Sequence, residues 1–126
     1  TAERCYDYCH DIVEIKQPFL KLFRKDGSFA SPFNDAWNQA ESYLAFAVQQ
    51  RSYLYEEKGL RFENPRCLLL LGYELTNDEV REIRKKEALG RVVYMLTYDH
   101  LFQMASHVFS LMCAAGENVM LPTVRR

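Results

Sequence analysis

The chain has 126 residues, the length of one ordinary domain, and a globular composition with 48% hydrophobic, 13% aromatic and 26% charged residues. Its formal net charge of −1 excludes a protein that coats nucleic acid by bulk charge, although a local basic cleft is compatible with it. No apolar run approaches the roughly 20 residues of a membrane span, and no secretion signal opens the sequence.

The four cysteines are predicted to be reduced thiols rather than disulfides or zinc ligands. A chain with this much apolar residue does not need disulfides for stability. Cys5, Cys9 and His10 lie close in sequence, but no second cluster supplies the remaining ligands of a zinc site. Cys67 and Cys113 lie in apolar runs and are predicted to be core residues. We therefore expect a cytoplasmic protein.

The first predicted element is a β-strand over residues 9–16, where "CHDIVEIK" alternates between polar and apolar side chains. Alternation places Glu14 and Lys16 on one face of this strand and Asp11 on the other. Pro18 ends the pairing. The segment that follows is irregular or hairpin-like, and its "DG" pair predicts a turn.

The most regular predicted helix follows Pro32, in a stretch that reaches Gly59 without another glycine or proline. Asn34 is the predicted N-cap, because its side chain can accept a hydrogen bond from the first turn. Gly59 is predicted to end the helix in a left-handed conformation. Trp37 is predicted to anchor this helix in the core.

The second half of the chain predicts two further strands, each followed by a helix. "RCLLLLGY" is a short apolar run, typical of a strand that is covered on both faces. A capping box, Thr76 with Glu79, begins a helix that ends at Gly90. "RVVYMLTY" predicts another strand, and Asp99 caps a last helix that ends at Gly116.

The resulting order, β-α-β-α-β-α, predicts an α/β fold with a mixed, at least partly parallel sheet flanked by helices. No linker or repeat divides the sequence, so residues 1–126 are predicted to form a single domain. Several methionines and phenylalanines near the end are predicted to be core or subunit-interface residues: Met95, Phe102, Met104, Phe109 and Met112.

Glu14 and Lys16 are the first candidates for chemistry, because they lie about 7 Å apart along one face of a strand. A carboxylate can hold Mg²⁺, which takes oxygen ligands and keeps several waters. A neighbouring lysine can orient or deprotonate a water and stabilise charge on a phosphate. This pairing suits hydrolysis of a phosphodiester. The plain alternative is a solvated strand face.

Gln39 and Tyr43 are the second pair, because a spacing of four residues places them on one face of the long helix. A glutamine there can contact metal-site groups or nucleic-acid backbone, and a tyrosine hydroxyl can bond a phosphate. The alternative is that Tyr43 packs at the core boundary while Gln39 is solvated.

The sequence resembles the PD-(D/E)xK nuclease superfamily and its RecB-like members in the order of three elements. These are a "DIVEIK" strand, a helix with Gln39 and Tyr43, and then an apolar strand. Further stretches are similar to the nuclease domain of Shedu anti-phage defence proteins, from about residue 11 to 112: "HDIVEIKQP", "RKDGSFASPF", "NQAESYLAFAVQQRSYLY", "CLLLLGY", "EVREIRKKEAL" and "YMLTYDHLF". The resemblance implies a restriction-endonuclease-like sheet whose first strand or strands lie outside this sequence.

It also implies a Mg²⁺- or Mn²⁺-dependent DNA nuclease, often homo-oligomeric, joined to a variable N-terminal regulatory region. By the resemblance, Glu14 and Lys16 match the E-x-K element, and Gln39 and Tyr43 match the helix motif. The superfamily needs a further acid, normally on the preceding strand. Asp11 is the candidate second metal ligand if a bulge turns it toward Glu14.

Two questions stay open at this point. Asp7, or a residue upstream of Thr1, can supply the further acid instead of Asp11. Without this further acid, the chain is a catalytically incomplete module for DNA binding or assembly.

Three basic residues after the E-x-K strand are candidates for contacts with the DNA backbone, with a solvated loop as the alternative: Lys21, Arg24 and Lys25.

Overall fold

The computed structural model describes residues 1–4 and 6–118 of the chain. In chain order, the elements of this part are β1 (Ala2–Glu3), β2 (His10–Ile15), α1 (Ser31–Gln49), α2 (Arg51–Lys58), β3 (Cys67–Leu70), α3 (Asn77–Gly90), β4 (Val93–Leu96) and α4 (Tyr98–Asn118). The predicted β-α-β-α-β-α order is present. It is preceded by β1, and its long helix is divided into α1 and α2.

The strands form one mixed sheet in the order β1-β2-β3-β4. β1 runs antiparallel to β2, whereas β2, β3 and β4 are parallel to one another. Ile12 lies opposite Cys67, which in turn lies opposite Val93. Parallel neighbours need crossover connections, and the helices between the strands supply them. The predicted α/β fold with a mixed sheet is confirmed.

One face of the sheet is buried beneath α1 and α3. Leu69 of β3 is fully buried there, and Phe33 and Trp37 of α1 belong to the same core cluster. Ile83 of α3 belongs to this cluster as well. Trp37 is the core anchor that the sequence predicts. Burial of each large apolar side chain stabilises the fold by roughly 1.5–3 kcal/mol, so this layer holds the strands in place.

The first helix begins earlier than predicted. Ala30 precedes the first turn, and Asn34 lies inside α1, where its N–H donates to the Ala30 carbonyl at 3.1 Å. Asn34 is therefore not the N-cap, because Pro32 is accommodated in the first turn, where its missing N–H costs nothing. The helix is interrupted at Gln50, and α2 ends at Gly59 in the predicted left-handed conformation.

The capping box of α3 is confirmed, since the side chains of Thr76 and Glu79 each bond the other's backbone N–H. This helix ends at Gly90, as predicted. Asp99 does not cap α4, because the helix already begins at Tyr98; its carboxylate accepts a hydrogen bond from the Glu74 N–H instead. The prediction that α4 ends at residue 116 is also wrong, since the helix continues to residue 118.

The opposite face of the sheet is only partly covered in the described part of the chain, since Leu70 of β3 is buried there. Leu68 and Tyr94, on neighbouring strands, are each 36% exposed, and Ile15 is more exposed still. The prediction that β3 is covered on both faces therefore holds at Leu70 and is wrong at Leu68. The physical reason is that α1 and α3 pack on the other face, while α4 leaves residues 102–115 exposed along its length.

The apolar residues near the end of the chain, which were predicted to lie in the core or at a subunit interface, differ in their burial. Met95 of β4 is a core residue, whereas four others are exposed on α4: Phe102, Met104, Phe109 and Met112. Their role at a subunit interface stays a prediction. No helix within residues 1–4 and 6–118 is long and apolar enough to cross a membrane.

Three of the four cysteines are described, and all three are free thiols, as predicted. Cys67 is buried, which confirms its predicted place in the core, and Cys9 is buried as well. Cys113 is exposed, so its predicted place in the core is wrong: it lies on α4, away from the packed layer. Cys5 lies outside the described residues.

Candidate active site

Glu14 and Lys16 lie where β2 reaches its carboxyl end. The Lys16 N–H donates to the Leu70 carbonyl at 2.9 Å, so parallel pairing with β3 continues through this residue. Glu14 lies opposite Leu69 and shares its face of the sheet, which α1 covers. Lys16 Nζ lies 2.8 Å from Glu14 Oε1, and both side chains are partly exposed. The alternation that the sequence predicts therefore produces a direct ion pair.

The α1 helix adds Gln39 and Tyr43 to this pair. Lys16 Nζ donates a hydrogen bond to Gln39 Oε1. One turn further along α1, Gln39 Nε2 donates to the Tyr43 hydroxyl at 2.6 Å. The four residues predicted from the E-x-K and helix motifs thus form one continuous chain of contacts, from Glu14 to Tyr43. We call this chain the E-K-Q-Y cluster.

Tyr98 is a member of the site region that sequence reasoning missed. Its hydroxyl donates to the backbone carbonyl of Lys16 at 2.5 Å, and its N–H donates to the Gly72 carbonyl at 2.9 Å. The first residue of α4 therefore ties the end of β2 to the end of β3. The only sequence signal was the tyrosine within "YMLTYDHLF", and nothing in its spacing indicates a partner 82 residues away.

Asp11 is not brought to the E-K-Q-Y cluster. It pairs regularly with Ala2 of β1, without the bulge that would turn it, so alternation keeps it on the opposite face from Glu14. Its carboxylate accepts from the Arg66 N–H at 3.0 Å and lies 3.4 Å from the Arg66 guanidinium. The geometry gives no support to Asp11 as the second metal ligand.

Asp7, the other local candidate, is engaged in the turn between β1 and β2. Its carboxylate accepts a hydrogen bond from the Cys9 N–H at 3.0 Å and lies 3.3 Å from Arg4 Nε. These two contacts give Asp7 a structural role in the turn. Neither acid near the start of the chain therefore joins Glu14.

A metal site here has one carboxylate from the described residues. Within residues 1–4 and 6–118, no group of three or more His, Cys, Asp and Glu side chains is arranged to hold a metal ion. Mg²⁺ is commonly held by one or two carboxylates, with water and substrate phosphates completing its oxygen ligands. The partly exposed Glu14 carboxylate fits that donor chemistry, and a further acid would complete the set.

Cys67 of β3 is a fully buried thiol that lies close enough to Glu14 to be affected by its charge. Burial, with a smaller contribution from the Glu14 carboxylate, raises the pKa of Cys67 to about 11. The thiol is therefore neutral at physiological pH and acts as a small apolar side chain. Cys67 therefore contributes no thiolate charge to the site.

The three predicted DNA-contacting residues lie exposed in the segment between β2 and α1: Lys21, Arg24 and Lys25. The segment forms a short hairpin closed by a Phe23–Phe29 bridge, with the predicted turn at its tip. Hydrogen bonds from the Ser28 hydroxyl and N–H lower the pKa of Asp26 below its ordinary value, so this turn also carries a negative charge. The structure places these basic residues on the connection that leaves the site strand.

Comparison with known proteins gives one family. No curated protein matches the chain. A family model described as "Shedu protein SduA, C-terminal" matches residues 6–102, well over half of the sequence. The match includes the whole E-K-Q-Y cluster as well as Tyr98. The chain therefore belongs to the family of the C-terminal region of the Shedu protein SduA.

Proposed function

We propose that this chain is a metal-dependent DNA nuclease domain, using Mg²⁺ or Mn²⁺ to hydrolyse phosphodiester bonds. Membership of the Shedu family indicates an anti-phage defence protein. The observation that carries the nuclease proposal is the contact chain from Glu14 through Lys16 and Gln39 to Tyr43. It joins a strand motif and a helix motif that lie more than 20 residues apart in the sequence.

Each residue of the E-K-Q-Y cluster has a role that follows from its contacts. Glu14 provides the carboxylate that would hold the metal, which when bound supplies Lewis-acid stabilisation of the phosphate and an activated water. The Lys16 ammonium orients the attacking water and stabilises negative charge on the phosphate. Gln39 holds the ammonium in place, and the Tyr43 hydroxyl fixes the orientation of the Gln39 amide.

The second carboxylate is proposed to lie on the strand that precedes β2. β1 pairs with the beginning of β2, with Ala2 opposite Asp11 and Glu3 opposite His10. Because the two strands are antiparallel, a residue that lies opposite Glu14 precedes Thr1 in the sequence. Replacing the acids of a longer chain that includes those positions, one at a time, identifies the partner by loss of metal binding.

The exposed residues Lys21, Arg24 and Lys25 are proposed to contact DNA phosphates. Neutralising all three would lower the slope of log K against log salt by about 3, since each phosphate contact contributes about 0.9. An unchanged slope would contradict these contacts.

Further proposals concern the oligomeric state, the parent protein and the subcellular location. The apolar residues exposed on α4 support assembly into a homo-oligomer, because contiguous exposed apolar surface marks interaction sites. We also propose a variable N-terminal regulatory region in the parent protein and a cytoplasmic location. Size measurement by light scattering, with α4 phenylalanines replaced, tests the assembly.

The decisive assay is cleavage of duplex and single-stranded DNA with Mg²⁺, Mn²⁺ or EDTA. It compares the wild-type protein with Glu14→Ala and Lys16→Ala. Glu82→Ala and Lys85→Ala are matched controls, because these residues form a Glu–Lys ion pair of 3.0 Å on the surface of α3. The proposal predicts metal-dependent cleavage that is lost only in the first two variants.

Equal cleavage by all five proteins would contradict the assignment of the site. A second candidate function is a catalytically incomplete module for DNA binding or assembly, favoured by the single carboxylate in the cluster. It predicts DNA binding without cleavage under every metal condition.

A further inference from the structure

Two exposed aromatic side chains stand just beyond the site, at the ends of neighbouring strands. Phe19 is 79% exposed and Tyr73 is 38% exposed. Their ring centroids lie 5.5 Å apart, with the planes inclined at 65°. Ile15 lies opposite Leu70 in the parallel pair β2 and β3, so both strands end at the same edge of the sheet. The aromatic pair is therefore part of the edge on which Lys16 lies.

The backbone holds this pair in a defined place. Tyr73 follows Gly72, which has a φ of 87° and whose carbonyl accepts the Tyr98 N–H. A Cβ at Gly72 would lie 3.1 Å from Leu22 Cδ1 and 3.2 Å from Met95 Cε, so both the positive φ and the close packing favour glycine here. Phe19 lies in a turn in which the Leu20 N–H donates to the Gln17 carbonyl.

The charges around the pair favour a neutral aromatic ligand. Glu74 and Glu79 line the same shallow groove as the two rings, and their negative charge disfavours a phosphate there. The basic side chains Lys21, Arg24 and Lys25 lie further along the segment that begins with Phe19. A nucleotide chain offers both kinds of group, because its bases are neutral and its phosphates are negative.

We propose that the exposed ring of Phe19, against which Tyr73 packs edge to face, stacks on an unpaired nucleobase next to the phosphate that is hydrolysed at Glu14 and Lys16. This inference rests on the proposed nuclease function and specifies its substrate class. A base inside a duplex is already stacked on both faces, whereas a base in a single-stranded overhang offers a free face to an aromatic ring. The preferred DNA is therefore one with unpaired nucleotides.

The spacing along the chain is compatible with this placement. Phe19 follows Lys16 by three residues, which span at most about 10 Å. Successive nucleotides of one strand advance by about 3.4 Å along the axis of a duplex, and by more where the strand is unpaired and extended, so the duplex rise gives an upper limit to the number of nucleotides spanned. The stacked base would therefore belong to a nucleotide within about three positions of the scissile phosphate.

Equilibrium binding in EDTA tests the stacking without cleavage. The probes are a blunt DNA duplex and the same duplex with a short single-stranded overhang that carries 2-aminopurine, whose fluorescence reports base stacking. The proteins are wild type, Phe19→Ala, Tyr73→Ala and Phe19→Trp, with Tyr53→Ala as the matched control. Tyr53 is a comparably exposed aromatic residue, 51% accessible, on α2.

The wild-type protein is expected to bind the overhang more tightly than the blunt duplex and to change the 2-aminopurine signal. Phe19→Ala should weaken overhang binding about tenfold or more, since stacking on one aromatic side chain has effects of that size. Tyr73→Ala should also weaken it, because it removes the ring that packs against Phe19. Blunt-duplex binding should stay the same, and Phe19→Trp and Tyr53→Ala should behave like wild type.

Three results would overturn the inference: no binding of either DNA by the wild type, equal losses on both DNAs, or alanine variants that bind the overhang normally. The substituted side chains are exposed, and circular dichroism verifies folding. Failure of the nuclease proposal is a separate result, because it appears as absent metal-dependent cleavage, whereas stacking is measured in EDTA.

Discussion

Glu14 and Glu87 each contact a cation at short range, but their surroundings differ. Lys16 Nζ lies 2.8 Å from one oxygen of Glu14. Arg84 lies 2.6 and 2.8 Å from the two oxygens of Glu87. The Glu14 side chain is 19% exposed, whereas that of Glu87 is 8% exposed. Both sites therefore pair a glutamate with a cation, but the carboxylate of Glu14 is more exposed to solvent than that of Glu87.

The difference lies in what else each carboxylate binds. Glu87 Oε2 also accepts the Met95 N–H at 2.6 Å, so both oxygens are engaged and α3 is tied to β4. At Glu14 the second oxygen accepts no hydrogen bond from the part of the chain that the structure describes, and the partner lysine is itself held by Gln39. A satisfied carboxylate stabilises the fold; a carboxylate with a free oxygen beside a positioned ammonium can take a ligand.

The largest expected effect is that of Glu14→Gln on cleavage. This change keeps the shape of the side chain and removes the charge that would hold a metal, so cleavage should fall by at least about 10²–10³-fold. The free energy of unfolding should change by less than about 1 kcal/mol, because the pair with Lys16 is partly exposed. Initial cleavage rates and urea unfolding measure the two quantities.

Glu87→Gln is expected to have the reverse pattern. It leaves the Arg84 guanidinium without its carboxylate and weakens the bond to the Met95 N–H, which should lower the free energy of unfolding by about 2–4 kcal/mol. Cleavage per folded molecule should stay at the wild-type value. Urea unfolding checks the first expectation; a large loss of cleavage at full folding would remove the distinction between the two glutamates.

Gln39→Ala should produce an intermediate effect. Gln39 acts by positioning the Lys16 ammonium, and loss of such a supporting contact typically costs about 10- to 100-fold. Gln39→Glu, which keeps an oxygen for Lys16, should restore part of the rate. Asn38→Ala, an exposed neighbour on α1, is the control, and an equal loss there would argue against a specific role for Gln39.

Tyr43→Phe should have the smallest effect in this series. It removes only the hydroxyl that accepts from Gln39 Nε2, and one such hydrogen bond corresponds to about a 2- to 10-fold change in rate. Tyr53→Phe on α2 serves as the matched control. Steady-state cleavage assays are sufficient; a loss as large as that of Glu14→Gln would mean that Tyr43 acts directly on the substrate.

Local patterns in the sequence predicted much of the fold and the contacts of the site. Alternation along β2 placed Glu14 and Lys16 together, and helical spacing placed Gln39 with Tyr43. These geometries depend on neighbouring residues, so periodicity is sufficient to predict them. The capping box at Thr76 was predicted for the same reason.

Features that depend on tertiary packing were predicted less well. Asn34 has the chemistry of a cap, but the proline two residues earlier allowed α1 to begin before it. The apolar run of β3 does not reveal that both crossover helices cover only one face, which leaves Leu68 exposed. Tyr98 joins the site from the far end of the chain, through contacts that no local pattern encodes.

The most direct test of the open carboxylate is Mn²⁺ binding, measured by the loss of the free-ion paramagnetic resonance signal in the presence of a short DNA duplex. Wild type, Glu14→Gln and Glu87→Gln are compared under conditions in which all three are folded. We predict that Mn²⁺ binds to wild type and to Glu87→Gln with similar affinity, and that Glu14→Gln weakens binding at least tenfold, to about the level of DNA alone. Equal binding by all three proteins, or equal loss in both variants, would contradict a metal site at Glu14.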